Sequence, residues 1–167
     1  MTDLPLLIRH EQPGDAEPIL RLHERAFGPG RFARTAARLR EGAEARPDLS
    51  FAAFVGSLLV GSVRVFPIRA GDEPALALGP LAVEPAFEKR GIGAALMERA
   101  LAEARASGST LVLLVGDEPY YARFGFRSVP DGRLRMPGPV DPARVLALEL
   151  VPGAIDRATG RVSAIRE

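Results

Sequence analysis

The 167-residue chain contains no cysteine. Disulfides, thiolate metal sites and a covalent cysteinyl intermediate are therefore excluded. Histidine is almost as scarce, with only His10 and His23. A zinc site would need carboxylates in unusual number, and no metal is expected. Neither charge sign dominates: 22 basic and 21 acidic residues leave a formal net charge of +1. That excludes a strong global field, so neither nucleic acid nor membrane is expected as a partner. No hydrophobic run reaches the length of a membrane span, because "FAAFVGSLLVGSVRVF" is broken by Gly56, Gly61 and Arg64. The opening "MTDLPLLIRHEQ" lacks the charged-then-apolar pattern of a signal peptide, and a cytoplasmic location is expected. Lysine occurs once, at Lys89, which reads as genome composition rather than function.

What is present is enough apolar residue, 47%, for one soluble domain spanning residues 1–167 with one core. "LLIRH" (Leu6 to His10) reads as a first strand. Asp15, after the Pro13-Gly14 turn, is placed to cap a helix running to about Phe27. Ile19, Leu22, His23 and Ala26 share one face of that helix. A second helix is expected from about Phe32 to Ala45. Gly56-Ser57 suits a type II′ turn between two strands rich in Val, Phe and Leu. A strand from Pro74 to Val83 is interrupted by Gly79-Pro80. Then follow a helix at Gly91, a buried strand from Thr110 to Gly116, a short helix around Tyr120 and a strand near Gly125-Phe126. The last strand is Arg144 to Val151, and irregular chain is expected after Pro152. Hairpin-linked strands followed by a strand–helix–strand unit imply an α/β fold of the α+β kind, a mixed sheet with helices on its faces.

The segment "AVEPAFEKRGIGAALM" carries the first chemical signal. The opening N–H groups of a helix lack internal partners and carry partial positive charge. Gly91 and Gly93 remove side chains that would keep a ligand off them, and Lys89 and Arg90 add formal charge, so a pyrophosphate suits the loop. Glycines also serve tight strand-to-helix turns with no ligand at all. Neither G-x-G-x-x-G nor G-x-x-x-x-G-K-[ST] is present, so a dinucleotide fold and a P-loop ATPase are disfavoured. Upstream, Pro80 cannot donate to a sheet ladder and Gly79 permits a bulge. Pairing should fail there, leaving main-chain groups of Leu81 to Val83 for a ligand, unless the strand is simply an edge.

With "GDEPYYARFGFRSV" downstream, these residues resemble the GNAT superfamily of acetyl-CoA-dependent N-acetyltransferases. "LGPLAVEPAFEKRGIGAALM" is similar to its bulged strand and [QR]-x-x-G-x-[GA] loop, and "YYARFGF" to its Y-x-x-x-G-F segment. The "GD-x-x-YY-x-RFGF" form is similar to an uncharacterised bacterial subgroup. The resemblance implies a GNAT-like fold with a mixed, mostly antiparallel sheet of about seven strands flanked by about four helices. It implies acetyl-CoA as acyl donor and the primary amine of a small molecule or peptide as acceptor, in a monomer or homodimer. Main-chain groups of Leu81, Ala82 and Val83 would hold the pantetheine arm. Those of Lys89, Arg90, Gly91, Ile92, Gly93 and Ala94 would hold the pyrophosphate. Tyr121 would protonate the departing thiolate.

Without cysteine, direct attack in a ternary complex is expected. No residue declares itself as the base; Glu73, Glu84 and Glu118 are candidates that read equally as surface acids. Arg31 and Arg34 could favour an acidic acceptor or simply begin a solvated helix. A CoA-binding sensor without catalysis is the competing reading. One departure stands out. The family pattern has Gln or Arg three residues before the first glycine, and Glu88 holds that position if Gly91 and Gly93 are the pair. A register two residues on, through Arg90, Gly93 and Ala95, fits the literal pattern.

Overall fold

A computed structural model describes residues 5–28, 37, 39, 40 and 42–165. Nine strands occur among these residues: β1 (Leu6–His10), β2 (Phe51–Val55), β3 (Leu58–Ala70), β4 (Glu73–Val83), β5 (Leu111–Val115), β6 (Arg127–Ser128), β7 (Leu134–Arg135), β8 (Val145–Glu149) and β9 (Gly160–Ala164). Two long helices are α1 (Ala16–Phe27) and α2 (Ile92–Ala106); two single turns are α3 (Glu118–Tyr121) and α4 (Ala154–Arg157). The sheet order is β1-β2-β3-β4-β5-β8-β6, and only the β4–β5 neighbours on that path run parallel. The expected mixed, mostly antiparallel sheet is therefore the observed one.

Strand alternation divides the core between two faces. Phe51, Ala53, Val63 and Val65 point to one face, where Ile92, Leu96, Met97 and Ala100 of α2 pack on them. Ala52, Leu59 and Ala82 point to the other and meet Ile19 and Leu22 of α1. Beyond α1 that second face is covered by the carboxy-terminal tail, through Ala154, Ala158 and Val162 on Ile68, Ala75 and Leu113. Gly61 lies beneath α2, where an added Cβ would come within 2.9 Å of Leu96 Cδ1. Its missing side chain sets how closely the start of that helix approaches the sheet.

The tail corrects the expectation of irregular chain after Pro152. It forms α4 and β9, and β9 pairs with residues 68–70 of β3. β3 has 13 residues and β2 only five, so the far end of β3 has an edge that β2 does not reach. β9 satisfies those main-chain groups. Gly71, at φ 64°, turns the chain from β3 to β4 where a Cβ would overlap the Thr159 carbonyl. The short strand expected near Gly125-Phe126 begins at Arg127, and the strand expected from Arg144 spans Val145–Glu149. The second expected helix, about residues 32–45, lies largely outside the described residues; its final stretch, 43–45, is not helical. Among the described residues no helix is long and apolar enough to cross a membrane.

Asp15 does not cap α1 in the expected way. It ends a 3-10 turn (Pro13–Asp15), and its carboxylate reaches back to accept from Gln12 N–H at 2.8 Å and from Arg9 at 2.7 and 3.0 Å. The turn puts Asp15 itself in helical geometry, so its side chain points away from the following N–H groups. The result ties α1 to β1, with Arg9 also stacked 4.5 Å from the Phe54 ring centre. The Arg9 hydrogen bond holds the Asp15 carboxyl below its ordinary pKa, against the opposing effect of burial. A lowered folded pKa means that the stabilisation is present above the unfolded value near 4 and fades as pH falls through the folded value. Asp15→Ala is expected to cost roughly 1–2 kcal/mol at pH 7, discounted for screening at the half-exposed arginine. Urea unfolding at pH 7 and pH 3 checks this, with the difference between the two proteins shrinking at the lower pH.

Candidate active site

The site begins where β4 leaves β5. The two pair only at Leu76–Val112 and Ala77–Leu113. Just beyond, the β3–β4 register shifts: Val65 faces Leu78 and Val63 faces Leu81, so Gly79 and Pro80 together oppose Arg64 alone. Pro80 has no N–H for the ladder, and Gly79 sits at φ 137°, a conformation open to glycine. The bulge turns β4 away while β5 continues along β8, and the two strands part.

The parting exposes a defined set of main-chain groups. Glu84 N–H donates to Val60 C=O at 2.8 Å, which makes this a hydrogen-bonded position of the antiparallel ladder. Alternation then turns the groups of Ala82 toward β3 and those of Leu81 and Val83 away from it. No β5 partner lies on that side. Among Leu81, Ala82 and Val83, the main-chain groups of Leu81 and Val83 face away from β3, whereas those of Ala82 face it and its methyl group is buried under α1.

The open edge leads to the start of α2. Pro85–Phe87 forms a 3-10 turn and Glu88 is extended and exposed. Lys89 at φ 64° and Gly91 at φ 82° are left-handed, and the helix starts at Ile92. The helix thus begins at the glycines. The first of its hydrogen bonds is donated by Ala95 to the Gly91 carbonyl at 3.0 Å, so the preceding N–H groups have no intrahelical acceptor. Among the described residues no side chain caps them. Lys89 is exposed, whereas the Arg90 guanidinium stacks 5.1 Å from the Phe87 ring centre.

Across the gap stands α3 with its two tyrosines. The Tyr120 hydroxyl lies 3.4 Å from where a Gly93 Cβ would be, with Leu81 and Val83 side chains beside it. Gly93 is therefore small for two reasons, the helix start and the approach of Tyr120. Tyr121 meets Tyr120 edge-on at 4.8 Å between ring centres and packs on buried Phe126 at 6.1 Å. Burial pushes the Tyr121 hydroxyl pKa up to about 12, with Tyr120 and Asp117 adding to the rise and Arg144 opposing it. Gly116, which the sequence did not single out, makes this seat: a Cβ there would overlap the Tyr121 ring. A lone glycine at a strand end gave no signal beyond a turn.

A cavity of about 1390 Å³ opens on the α1 face of the sheet. It is lined by Leu20, His23 and Phe27 of α1, by the bulge from Leu78 to Leu81, and by both tyrosines. His23 is buried against Phe27, as expected of a packed histidine. None of the three candidate bases lines this cavity. Glu73 pairs with Arg157 at 3.6 Å, Glu84 with Arg25 at 2.7 Å, and Glu118 accepts from Ser128 N–H at 2.6 Å. The cavity does contain Glu11 and Arg64, joined in an ion pair that sequence reasoning missed. Arg31 and Arg34 lie outside the described residues. Among the described residues no His/Asp/Glu cluster is arranged for a metal. Chemically, the site offers unpartnered N–H groups at the start of α2, an extended polar edge along β4, a partly buried neutral hydroxyl, and room for a second molecule.

This arrangement defines a class of acyl-transferring folds, and the comparison with known proteins agrees. The chain belongs to the acetyltransferase (GNAT) family, whose model matches residues 16–126. An uncharacterised N-acetyltransferase of Escherichia coli K12, YjhQ, is 34% identical over 116 residues, covering 67% of this chain and 64% of the relative's length. The crystal structure of the Escherichia coli GNAT protein YhbS in complex with CoA superposes with a TM-score of 0.82 at 27% identity, covering 99% of this chain and 92% of that one. A GNAT acetyltransferase from Brucella melitensis in complex with acetyl-CoA gives a TM-score of 0.66 at 28% identity, covering 90% and 91%.

The chain has two tyrosines and no tryptophan, so ultraviolet titration can follow the tyrosines directly. Absorbance from Tyr121 ionisation is expected near pH 12 in the wild type. Gly116→Ala pushes the ring from its seat toward water and is expected to bring that change down toward pH 10. An unaltered titration in the variant would show that Gly116 does not set the position of Tyr121.

Proposed function

We propose that the protein is an N-acetyltransferase that moves an acetyl group from acetyl-CoA to a primary amine. The observation that carries this reading is the parted edge of β4, which runs from the bulge directly to the uncapped start of α2. The two GNAT structures with CoA or acetyl-CoA support the choice of donor. The pyrophosphate fits the main-chain N–H groups from Lys89 to Ala94, where the glycines leave no Cβ in the way. The pantetheine arm fits the outward main-chain groups of Leu81 and Val83, which bind an amide-bearing chain as a strand would. An N–H of this edge also stabilises negative charge developing on the acetyl oxygen.

The acceptor occupies the cavity on the α1 face. Its neutral nitrogen forms a bond to the acetyl carbon, the carbon–sulfur bond breaks, and the electron pair leaves on sulfur. The nitrogen gives its surplus proton to water, since the three glutamates first considered are engaged elsewhere. Tyr121 donates its proton to the sulfur. With a pKa of about 12 the hydroxyl keeps that proton throughout the working pH range, so the acid is always loaded. The Tyr121 hydroxyl is needed for transfer but not for donor binding, and this separates an enzyme from a CoA-binding sensor.

Tyr121→Phe is expected to lower kcat by about 100-fold or more while leaving the Kd for acetyl-CoA within about twofold. Unchanged turnover would remove Tyr121 from the acid role, and tight acetyl-CoA binding without turnover on any amine would favour the sensor. Glu88 places a carboxylate at the rim of the pyrophosphate seat. At about 4 Å in water the repulsion is about 1 kcal/mol, partly offset by Lys89. Glu88→Gln is expected to tighten acetyl-CoA binding by up to about tenfold in calorimetry, less at high salt. Weaker binding would show that the carboxylate contributes favourably.

A further inference from the structure

Building on the donor reading, we propose that Tyr120 is a second functional tyrosine, whose hydroxyl donates a hydrogen bond to the diphosphate of acetyl-CoA at the start of α2. Tyr120 holds the donor, while its neighbour Tyr121 acts on the sulfur. Successive helical residues point about 100° apart, so a single turn can send two side chains to two places. Tyr121 goes into the seat made by Gly116 and Phe126. Tyr120 goes across the gap instead. Its hydroxyl lies 3.4 Å from where a Gly93 Cβ would be, and the Val83 and Leu81 side chains lie 3.6 and 4.0 Å from the same point.

The ring is held on several sides. The Arg123 guanidinium stacks over it at 4.5 Å from the ring centre, and Arg123 Nε donates to the Tyr120 carbonyl at 3.1 Å. Tyr121 meets it edge-on at 4.8 Å between ring centres and Phe124 at 5.8 Å. Tyr120 N–H donates to the Asp117 carbonyl at 3.1 Å. A phenylalanine would make all of these ring and main-chain contacts. The hydroxyl is what they leave over, and among the described residues it has no hydrogen-bond partner. A group fixed in advance binds a ligand with little further loss of side-chain freedom.

Where the hydroxyl sits decides which part of the donor it meets. Gly93 is the second residue of α2, and the N–H groups there precede Ala95, which makes the first bond of the helix to the Gly91 carbonyl. An oxygen that accepts from those N–H groups is also within reach of the Tyr120 hydroxyl. A phosphate oxygen suits that double demand, because an anion takes main-chain N–H groups and a tyrosine O–H together as charge-assisted bonds. The missing Gly93 Cβ leaves the space that oxygen and hydroxyl would share. In the proposed pose the sulfur lies toward the bulge, away from the start of α2, so the acid role stays with Tyr121.

The test uses the full chain and calorimetry with two probes. Acetyl-CoA carries the whole donor. 3′-Phospho-ADP keeps the nucleotide and the diphosphate and lacks the pantetheine arm. Tyr120→Phe retains the ring and its packing, and is expected to weaken both probes by about tenfold, the equivalent of one hydrogen bond to a charged group. With a reactive amine, the same variant is expected to raise KM for acetyl-CoA by about tenfold and to change kcat by less than about threefold, the reverse of Tyr121→Phe. 3′-Phospho-ADP that fails to bind the wild type, or binds wild type and variant equally, would overturn the proposal. Weakening confined to acetyl-CoA would place the bond on the pantetheine arm and overturn it too. If acetyl-CoA binds and no amine reacts, the transfer reading fails, and the calorimetric comparison still decides the role of Tyr120.

Discussion

One extra residue in β4 governs the rest of the site. A continuous β4–β5 ladder would satisfy every main-chain group and leave no room between the strands. The bulge at Gly79-Pro80 ends that ladder after two paired positions. It leaves the groups of Leu81 and Val83 without a strand partner on that side. Unpaired main-chain groups are costly when buried, so the arrangement persists because the edge stays open to water or to a ligand. The sheet on either side holds the opening in shape: β3 supports β4 along its length, and β8 supports β5.

Around this opening the sequence places small residues where backbone or ring must come close, and polar ones along the cavity wall. Gly93 admits both the helix start and the Tyr120 hydroxyl, and Gly116 seats Tyr121. The partly buried Tyr121 remains neutral because its surroundings disfavour the phenolate. The Glu11–Arg64 pair lies on the α1 face, while the uncapped helix start belongs to α2. In the proposed function the sheet thus separates the phosphate region from the acceptor region.

Much of this was legible in the sequence because glycine and proline dictate backbone shape directly. Gly79-Pro80 announced the bulge, and Gly91 and Gly93 announced the helix start. The tyrosine segment was readable through its spacing to Gly125 and Phe126, which the structure brings into one packed unit. What was not legible depends on distance along the chain. Glu11 and Arg64 are 53 residues apart and meet only because β1, β2 and β3 lie side by side. Asp15 had the right residue type for a cap, but the preceding 3-10 turn redirected its carboxylate to Arg9 and Gln12. β9 was hidden because its strand pattern is short and its partner is the unmatched end of a strand that reads as part of a hairpin.

The placement of α1 and α2 on opposite faces makes the sheet a partition. In the proposed reaction the donor lies along the β4 edge toward α2, and the acceptor lies on the α1 side. On that reading the parted strands are the one window through which the two reactants touch.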